Sequence, residues 1–299
     1  MKSFRAVRRI VNEDEMRSIL LPKQLPAVLP GFATNWPAVT GTITTSQWSN
    51  WGALRSRLVK HHGPEEHDAH HALVVPLEFG GTYMDQTFST QHVSFLSVLD
   101  TLLAEQAHIA KFASTNQEQS HQQQLKKNML PWYLAQHDLR SVSPLLAQEV
   151  QVPIMLSTTS TEQGKDTSLP KPSIYRNNLW LGGHAGSVSP CHYDPFNNLL
   201  VQIYGSKRVL LFDPQNSAGL YPALGTRQKN TSCIRSFEHQ DGLGGDASTG
   251  ADADRYPLFK DVIGFEAILH PGDALYIPYK WWHHCSAASA SCSVNWWFL

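Results

Sequence analysis

The sequence lacks the cysteine spacings and the long apolar runs that mark several classes of protein. Its four cysteines, Cys191, Cys233, Cys285 and Cys292, contain no Cys-x-x-Cys pair, so we expect reduced thiols rather than a zinc knuckle or a disulfide framework. No apolar run approaches the roughly 20 residues of a membrane-spanning helix. The apolar pair at positions 10–11 is followed at once by acidic residues, so we expect no secretory signal. We therefore expect a nuclear or cytoplasmic protein that is not bound to membrane.

An excess of either charge is also missing. The chain has 24 basic and 25 acidic residues, a formal net charge of -1, which argues against nonspecific binding to nucleic acid or to anionic membrane. Its 41% hydrophobic and 16% charged residues are typical of a globular chain and not of a disordered one. A chain of 299 residues is long enough to bury a substantial core.

Histidine is abundant, with 15 residues, and the densest group lies within His61–His71. A second metal site and a solvated loop are both compatible with this group. A loop is favoured, because no helix or strand fixes a ligand spacing there. A second biased segment, Gln240–Asp254, is rich in Gly, Ala and Asp and predicts an insertion on the surface.

The pattern of apolar residues predicts many short strands, with helices in the first half. Helices are predicted after Asn12, at Ser46–Lys60 and at Val93–Leu103, and strands at Ala72–Phe79, Pro131–His137, Leu179–Leu181 and Ser291–Phe298. This combination indicates a mainly β protein with flanking helices, built on a double-stranded β-helix, or jelly roll, core. We assign residues 131–299 to the core and residues 1–130 to an N-terminal α/β extension packed on it, as one structural unit.

The segment Ser189–Phe212 carries a group of candidate metal ligands. His192 and Asp194 are two residues apart, and alternate side chains of a strand point to the same face, so an extended segment would direct both to one side. Asn198 has the same parity. Such a pair also occurs through core packing alone, so further ligands are needed to support a metal site.

The same segment predicts a β-hairpin. An apolar run ends at Tyr204, Gly205-Ser206 suits a two-residue turn, and a second β-rich run follows. Tyr204 would then pair with Lys207. Since cross-strand partners share a face, Lys207 would project into the space of the candidate ligands and place a cation beyond the metal.

A further ligand is expected in the stretch from Pro271 to His284. A Pro-Gly-Asp turn and a short strand lead to His283 and His284, whose side chains would point to opposite faces, so only one can join the site. Two histidines and one carboxylate form the facial triad of non-haem Fe(II) oxygenases, which leaves coordination positions open.

Together, these motifs resemble the JmjC-domain 2-oxoglutarate oxygenases, from about Leu25 to the end of the chain. The resemblance is closest to the arginyl hydroxylase branch, whose members are also named lysine demethylases, and more distant to the factor-inhibiting-HIF asparaginyl hydroxylases. The shared motifs are at Val75–Gly80, Tyr133–His137, Ser189–Asp194, Gly205–Lys207 and Leu220–Pro222, with Pro-Gly-Asp and Trp-His later.

The resemblance implies a role for each matched position. It makes His192, Asp194 and His283 the Fe(II) ligands. It makes Lys207 the ionic partner of the co-substrate 2-oxoglutarate, with hydrogen bonds from Tyr133, Ser189, Asn198 and Asn295. It places Glu78, Tyr83, Trp180 and Gln136 around the target side chain. O2 is the other co-substrate that it implies.

The expected function is hydroxylation of a side chain in a protein or peptide substrate, with arginine favoured. Glu78 lies in an apolar run, and a carboxylate accepts a guanidinium through two parallel hydrogen bonds, whereas methylated ammonium groups favour aromatic cages. The alternatives are N-methyl-lysine demethylation and a non-catalytic, metal-binding cupin-like protein. We expect a monomer, because the sequence stops at Leu299 without the later helices through which factor-inhibiting-HIF enzymes dimerise.

Overall fold

A computed structural model describes residues 4–10, 12–42, 47–62, 73–113, 129–156, 172–235, 237 and 255–299. The predicted surface insertion at Gln240–Asp254 lies outside these residues, as do positions 63–71 of the histidine group.

The strands of the described residues form two sheets. They are β1 (Arg5–Ala6), β2 (Ala27–Leu29), β3 (Val74–Phe79), β4 (Ser89–Ser94), β5 (Trp132–Asp138), β6 (Ile174–Gly182), β7 (Ser187–His192), β8 (Asn197–Tyr204), β9 (Lys207–Phe212), β10 (Gly264–Leu269), β11 (Ala274–Ile277), β12 (Trp282–Ala287) and β13 (Ser291–Phe298). One sheet has the order β1-β10-β9-β12-β7, and the other has the order β2-β11-β8-β13-β6-β5-β3-β4.

The helices lie mainly before β6. They are α1 (Glu13–Glu15), a π-helical segment (Met16–Leu20), α2 (Leu21–Lys23), α3 (Pro37–Thr40), α4 (Trp51–His62), α5 (Phe95–Ala113), α6 (Leu139–Val142) and α7 (Pro144–Gln148), with 3-10 helices at Ile154–Leu156, Pro214–Leu220 and Pro257–Asp261. Within the described ranges, we find no helix that is long and apolar enough to cross a membrane.

The two-residue period of β8 explains how the layers pack. Leu199, Val201 and Ile203 join the cluster that contains the apolar faces of α4 and α5, whereas Leu200 joins strands of both sheets in a second cluster. The eight-stranded sheet is therefore covered by helices on one face and by the five-stranded sheet on the other. This arrangement confirms the predicted jelly roll with flanking helices.

The predicted hairpin of β8 and β9 is wrong. β8 pairs with β11 and β13, and β9 pairs with β10 and β12, so the two strands belong to different sheets. Gly205 has a φ of 68°, and a Cβ there would collide with the carbonyl oxygen of Ala290. Glycine is required at this position, but for a corner between the sheets rather than for a hairpin turn.

The extension contributes strands as well as helices. Its β1 joins the five-stranded sheet, and β2, β3 and β4 join the eight-stranded sheet. The helix predicted from Val93 begins at Phe95, because Val93 pairs with Val75 in β4, and the helix predicted from Ser46 begins at Trp51. The boundary between residues 130 and 131 stays a prediction.

Candidate metal centre and co-substrate cavity

Three candidate ligands converge at the end of β7. His283 of β12 is directly opposite His192, the last residue of β7, and Asp194 follows two residues later. Asp194 Oδ1 is 3.9 Å from His192 Nε2, and its Oδ2 is 3.6 Å from His283 Nε2. The three ligand atoms lie within 4.8 Å of one another. This separation and the donor set suit a single divalent cation such as Fe(II).

Asp194 reaches the site by a different route from the one predicted. It lies in the connection between β7 and β8 and not on a strand, and these strands belong to different sheets. The parity argument for His192, Asp194 and Asn198 on one extended segment is therefore wrong. The backbone N–H of Lys280 donates to the Asp194 carbonyl at 3.0 Å, which ties this connection to the turn before β12.

Hydrogen bonds select the tautomer of both histidines. His192 Nδ1 is 2.7 Å from the Pro190 carbonyl oxygen, and His283 Nδ1 is 3.0 Å from the Trp281 carbonyl oxygen. A carbonyl only accepts, so each Nδ1 carries the proton and each Nε2 keeps a lone pair that faces Asp194. Burial, with a smaller contribution from His192, lowers the pKa of His283 to about 4, so its ring is neutral at pH 7.

His284 points away from this centre, as expected for adjacent residues of a strand. It is 3% exposed, and its ring lies 5.3 Å from the ring of Phe237. Neither ring nitrogen has a hydrogen-bond partner in the described part of the chain. Burial, followed by the charge of Arg208, lowers the pKa of His284 to about 3. Its position indicates a packing role.

Lys207 lies in the same cavity as the three ligands, and it is 3% exposed. Burial lowers the pKa of its ammonium, and none of the described carboxylates forms an ion pair with it. Its nearest electrostatic neighbours are Cys285 and Cys292, whose pKa values burial raises to about 11 and about 12, so both thiols stay neutral at pH 7. A buried cation without a counterion is costly, so the cavity favours an anionic ligand.

Eight of the twelve predicted site residues line one cavity. They are His192, Asp194, His283, Tyr133, Ser189, Asn198, Lys207 and Trp180, and the remaining wall consists of Leu200, Ile277 and Cys285. The Tyr133 hydroxyl is hydrogen-bonded to Ser189, and burial raises the pKa of this phenol, which stays protonated. The ring of Tyr133 lies 6.0 Å from Lys207 Nζ. The cavity thus combines a metal-ligand end with a cationic end.

Asn295 lies on the same face of the eight-stranded sheet as its cross-strand partner Leu200, and it is hydrogen-bonded to Trp180 and Asn198. An indole only donates, so the 2.7 Å bond from Trp180 Nε1 identifies Asn295 Oδ1 as the acceptor. Asn295 Nδ2 then donates to Asn198 Oδ1 at 2.9 Å. The Nδ2 of Asn198 is left to donate towards the cavity. Asn295 is 0% exposed and holds two residues that line the cavity, Asn198 and Trp180, while its predicted contact with the co-substrate stays a prediction.

The other predicted substrate residues do not line the cavity, and only Glu78 and Tyr83 are close to residues of the site. Glu78 of β3 pairs with Tyr133 and is half-buried, and burial raises the pKa of its carboxyl. The Tyr83 hydroxyl is 3.1 Å from the Thr231 hydroxyl. Gln136 is exposed, with a φ of 52°, in the β-bulge of β5. A β-bulge interrupts the alternation of side chains along a strand, so alternation along β5 does not predict the direction of Gln136.

The sequence reasoning missed three residues that line the cavity and also Thr231, which contacts Tyr83. Cys285 and Leu200 are two positions after His283 and Asn198, so strand periodicity could have identified them. Ile277 and Thr231 come from distant segments, and their places depend on strand pairing. No local signal could have identified either residue.

Several known proteins are similar to most of this chain. The family model described as "Cupin-like domain" matches residues 13–299. "Jumonji C domain-containing protein 5" of Drosophila melanogaster is 34% identical over 75% of this chain and 46% of its own length. "JmjC domain-containing protein D" of Dictyostelium discoideum is 25% identical over 98% and 56%, and "Lysine-specific demethylase 8" of Xenopus tropicalis is 27% identical over 95% and 50%.

The chain thus spans about half the length of these curated relatives. The family model, in contrast, covers the extension as well as the core and includes all twelve predicted site residues. The chain belongs to the cupin-like family, and it is similar to JmjC-domain proteins within the part that they share.

Proposed function

We propose that this protein is an Fe(II)- and 2-oxoglutarate-dependent oxygenase that hydroxylates a side chain of a protein substrate, with arginine favoured. The observation that carries the proposal is one cavity with a His-Asp-His triad and a buried Lys207 that has no ion-pair partner among the described residues. A dicarboxylate with one end on the metal and the other on the lysine satisfies both features. The dependence of the JmjC family on Fe(II) and 2-oxoglutarate supports this proposal.

The Nε2 atoms of His192 and His283 and a carboxylate oxygen of Asp194 would hold the iron. Fe(II) bound there would supply O2 activation coupled to oxidative decarboxylation of 2-oxoglutarate to succinate and CO2, with one oxygen atom going to succinate and the other to a substrate C–H bond. The protein contributes two imidazoles whose Nδ1–H groups are held by backbone carbonyls, so both Nε2 atoms face the site as donors, and burial lowers the pKa of His283 to about 4.

Lys207, Tyr133 and Asn198 would hold the far carboxylate of 2-oxoglutarate. Lys207 provides a compact positive charge, and the neutral Tyr133 phenol and the Asn198 Nδ2 provide hydrogen-bond donors. All three are buried, so an anion bound there is shielded from water and interacts strongly. This arrangement orients the co-substrate and leaves the metal side of the cavity for the target.

Glu78 is the group that favours arginine as the target. It has no ion-pair partner among the described residues, lies beside Tyr133, and is electrostatically close to Tyr83. Its carboxylate could accept two parallel hydrogen bonds from a guanidinium, which would fix the carbons of the side chain relative to the triad. Trp180 supplies an aromatic wall next to the same cavity.

Demethylation of N-methyl-lysine is the second candidate. The relatives from Xenopus tropicalis and Danio rerio carry the name "Lysine-specific demethylase 8". The same chemistry on an N-methyl carbon would yield an unstable hydroxymethyl amine that releases formaldehyde. Glu78 disfavours this candidate, because methylated ammonium groups are best held by aromatic faces.

Aerobic incubation of the purified protein with Fe(II), 2-oxoglutarate and a peptide library tests the proposal. We expect succinate formation and a mass increase of one oxygen atom on arginine-containing peptides. Formaldehyde from methyl-lysine peptides, with no oxygen added to arginine peptides, would support demethylation instead. Metal binding without succinate under any condition would identify a non-catalytic cupin-like protein.

A further inference from the structure

Residues 230–232 form a short pairing with the strand that carries His192. The Tyr193 N–H donates to the Asn230 carbonyl at 3.0 Å, and the Ser232 N–H donates to the Cys191 carbonyl at 2.8 Å. β7 is an edge strand of the five-stranded sheet, so this segment covers its free edge next to the metal centre.

This hydrogen-bond pattern fixes the direction of the Thr231 side chain. The two bonds flank the pair His192 and Thr231, which makes it a non-hydrogen-bonded antiparallel pair. In such pairs the Cα atoms are about 4.5 Å apart and the side chains stand side by side on one face. The Thr231 side chain, 2% exposed, therefore stands beside the imidazole of His192.

Thr231 also contacts the proposed substrate pocket. Its hydroxyl is 3.1 Å from the hydroxyl of Tyr83, in the turn that follows β3. Burial raises the pKa of the Tyr83 phenol, and the charges of Asp194 and Glu78 raise it further, so the phenol is near both a metal ligand and the carboxylate proposed for the guanidinium. Within the described residues, this is the hydrogen bond that holds the phenol.

We infer that Thr231 is a positioning residue that fixes the Tyr83 phenol relative to His192 and so determines where a target side chain is presented. This inference rests on the proposed function. The hydroxyl is the group required, since the backbone pairing of residues 230–232 persists with any side chain. The segment therefore connects substrate recognition to a metal ligand through one pair of hydroxyl groups.

The test compares variants of the full chain loaded with Fe(II), using an arginine-containing peptide identified in the library. Thr231→Val removes the hydroxyl but keeps the shape, Thr231→Ser keeps the hydroxyl, and Tyr83→Phe removes its partner. Ser232→Ala is the matched control: its hydroxyl donates to the Leu220 carbonyl at 2.6 Å, away from the site. The Michaelis constants for peptide and for co-substrate, kcat and thermal stability are measured for each variant.

We expect Thr231→Val and Tyr83→Phe each to raise peptide KM about 3- to 10-fold, the range for loss of one neutral hydrogen bond. The double variant should show no further rise, Thr231→Ser should behave like the wild type, and the co-substrate KM should not change. Ser232→Ala should lower thermal stability without raising peptide KM.

Two other results overturn the inference, and they are distinguishable. The first is that the wild type oxidises the peptide but Thr231→Val has the same peptide KM, or that the double variant raises peptide KM by the product of the two single effects. Either outcome would show that only the positioning role is wrong. If the wild type adds no oxygen to any arginine peptide, the proposed function is wrong and the inference fails with it.

Discussion

The co-substrate end of the cavity and its mouth, the name we give to Glu78 and Tyr83 beside the residues that line it, differ in burial and in the part of the fold that builds them. At the co-substrate end, Lys207, Asn198, Tyr133 and Ser189 are between 3% and 9% exposed. At the mouth, Glu78 and Tyr83 are only half-buried. The buried end is built mainly by core strands, whereas the mouth depends on the turn after β3 and on residues 230–232.

This difference separates chemistry from specificity. A buried charge needs a partner of fixed shape and sign, so the co-substrate end is restricted to one kind of ligand. Groups at a half-exposed mouth keep contact with water, and they can be changed at lower cost to the fold. Changes at the buried end should therefore affect all turnover, and changes at the mouth should affect only the reaction of the target.

The largest expected effect comes from the metal centre. His283→Ala removes a ligand from a three-ligand site and should abolish succinate formation, while His284→Ala, on the opposite face, should keep a measurable share. Fe(II) binding and turnover are measured for both variants. The reverse pattern would show that the wrong histidine has been assigned to the metal.

The next effect belongs to the co-substrate end. Lys207→Ala should weaken 2-oxoglutarate binding by about 2 to 5 kcal/mol, the usual cost of removing one partner from a buried charge pair. Fe(II) binding should survive. Lys229→Ala, at an exposed lysine, serves as the control and should leave affinity unchanged. Equal 2-oxoglutarate affinity in Lys207→Ala and the wild type would contradict the proposed ion pair.

A smaller and more selective effect is expected at the mouth. Glu78→Gln keeps the shape but removes the charge, and should raise the KM for an arginine peptide about 10-fold or more, given the strength of hydrogen bonds to charged groups. The KM for the co-substrate should not change. Glu266→Gln, in an ion pair with Arg208 on the other sheet, is the matched control. Equal rises in both KM values would place Glu78 in the co-substrate site.

Replacement of the buried His284 should have the smallest effect on turnover at neutral pH, and its main effect should be on stability at lower pH. Burial lowers the pKa of His283 to about 4 and of His284 to about 3, below the roughly 6.5 of an exposed histidine. Between about pH 6.5 and pH 4, the two histidines are protonated in the unfolded chain but not in the folded chain. The free energy of unfolding therefore falls as pH decreases through this window. Stability is fully present above that window.

Thermal unfolding of the metal-free protein across this range tests the prediction. His284→Phe removes one of the two excluded protons and should flatten the dependence on pH, with little change near pH 7.5. A pH dependence identical to that of the wild type would mean that His284 is not a source of the acid sensitivity.

Local sequence information was sufficient for the residue types of the site. The His-x-Asp pair, the lysine after Gly205 and the histidine after Trp282 were identified from their motifs, and the structure brings all of them to one cavity. Strand periodicity also separated His283 from His284, because alternation is a local property of extended backbone. The roles of these residues in turnover stay predictions.

Strand partners could not be identified in the same way. β8 and β9 both carry apolar runs, and such a run can pair with any strand that buries the same face, so the nearest neighbour in sequence was the wrong choice. The hydrogen bonds of Asn295 to Trp180 and Asn198 could not be predicted either, and its contact with the co-substrate stays a prediction. Donor and acceptor choices of this kind depend on neighbours from distant strands.

The sequence by itself determined which groups are available: two histidines and an aspartate for a metal, a lysine for an anion, and a glycine where only a left-handed corner fits. Tertiary structure decided which of them meet. It placed β8 and β9 in different sheets and brought residues 230–232 beside His192. The physical reason is that side-chain chemistry and strand alternation are local, whereas pairing between distant segments is selected by burial of the whole core.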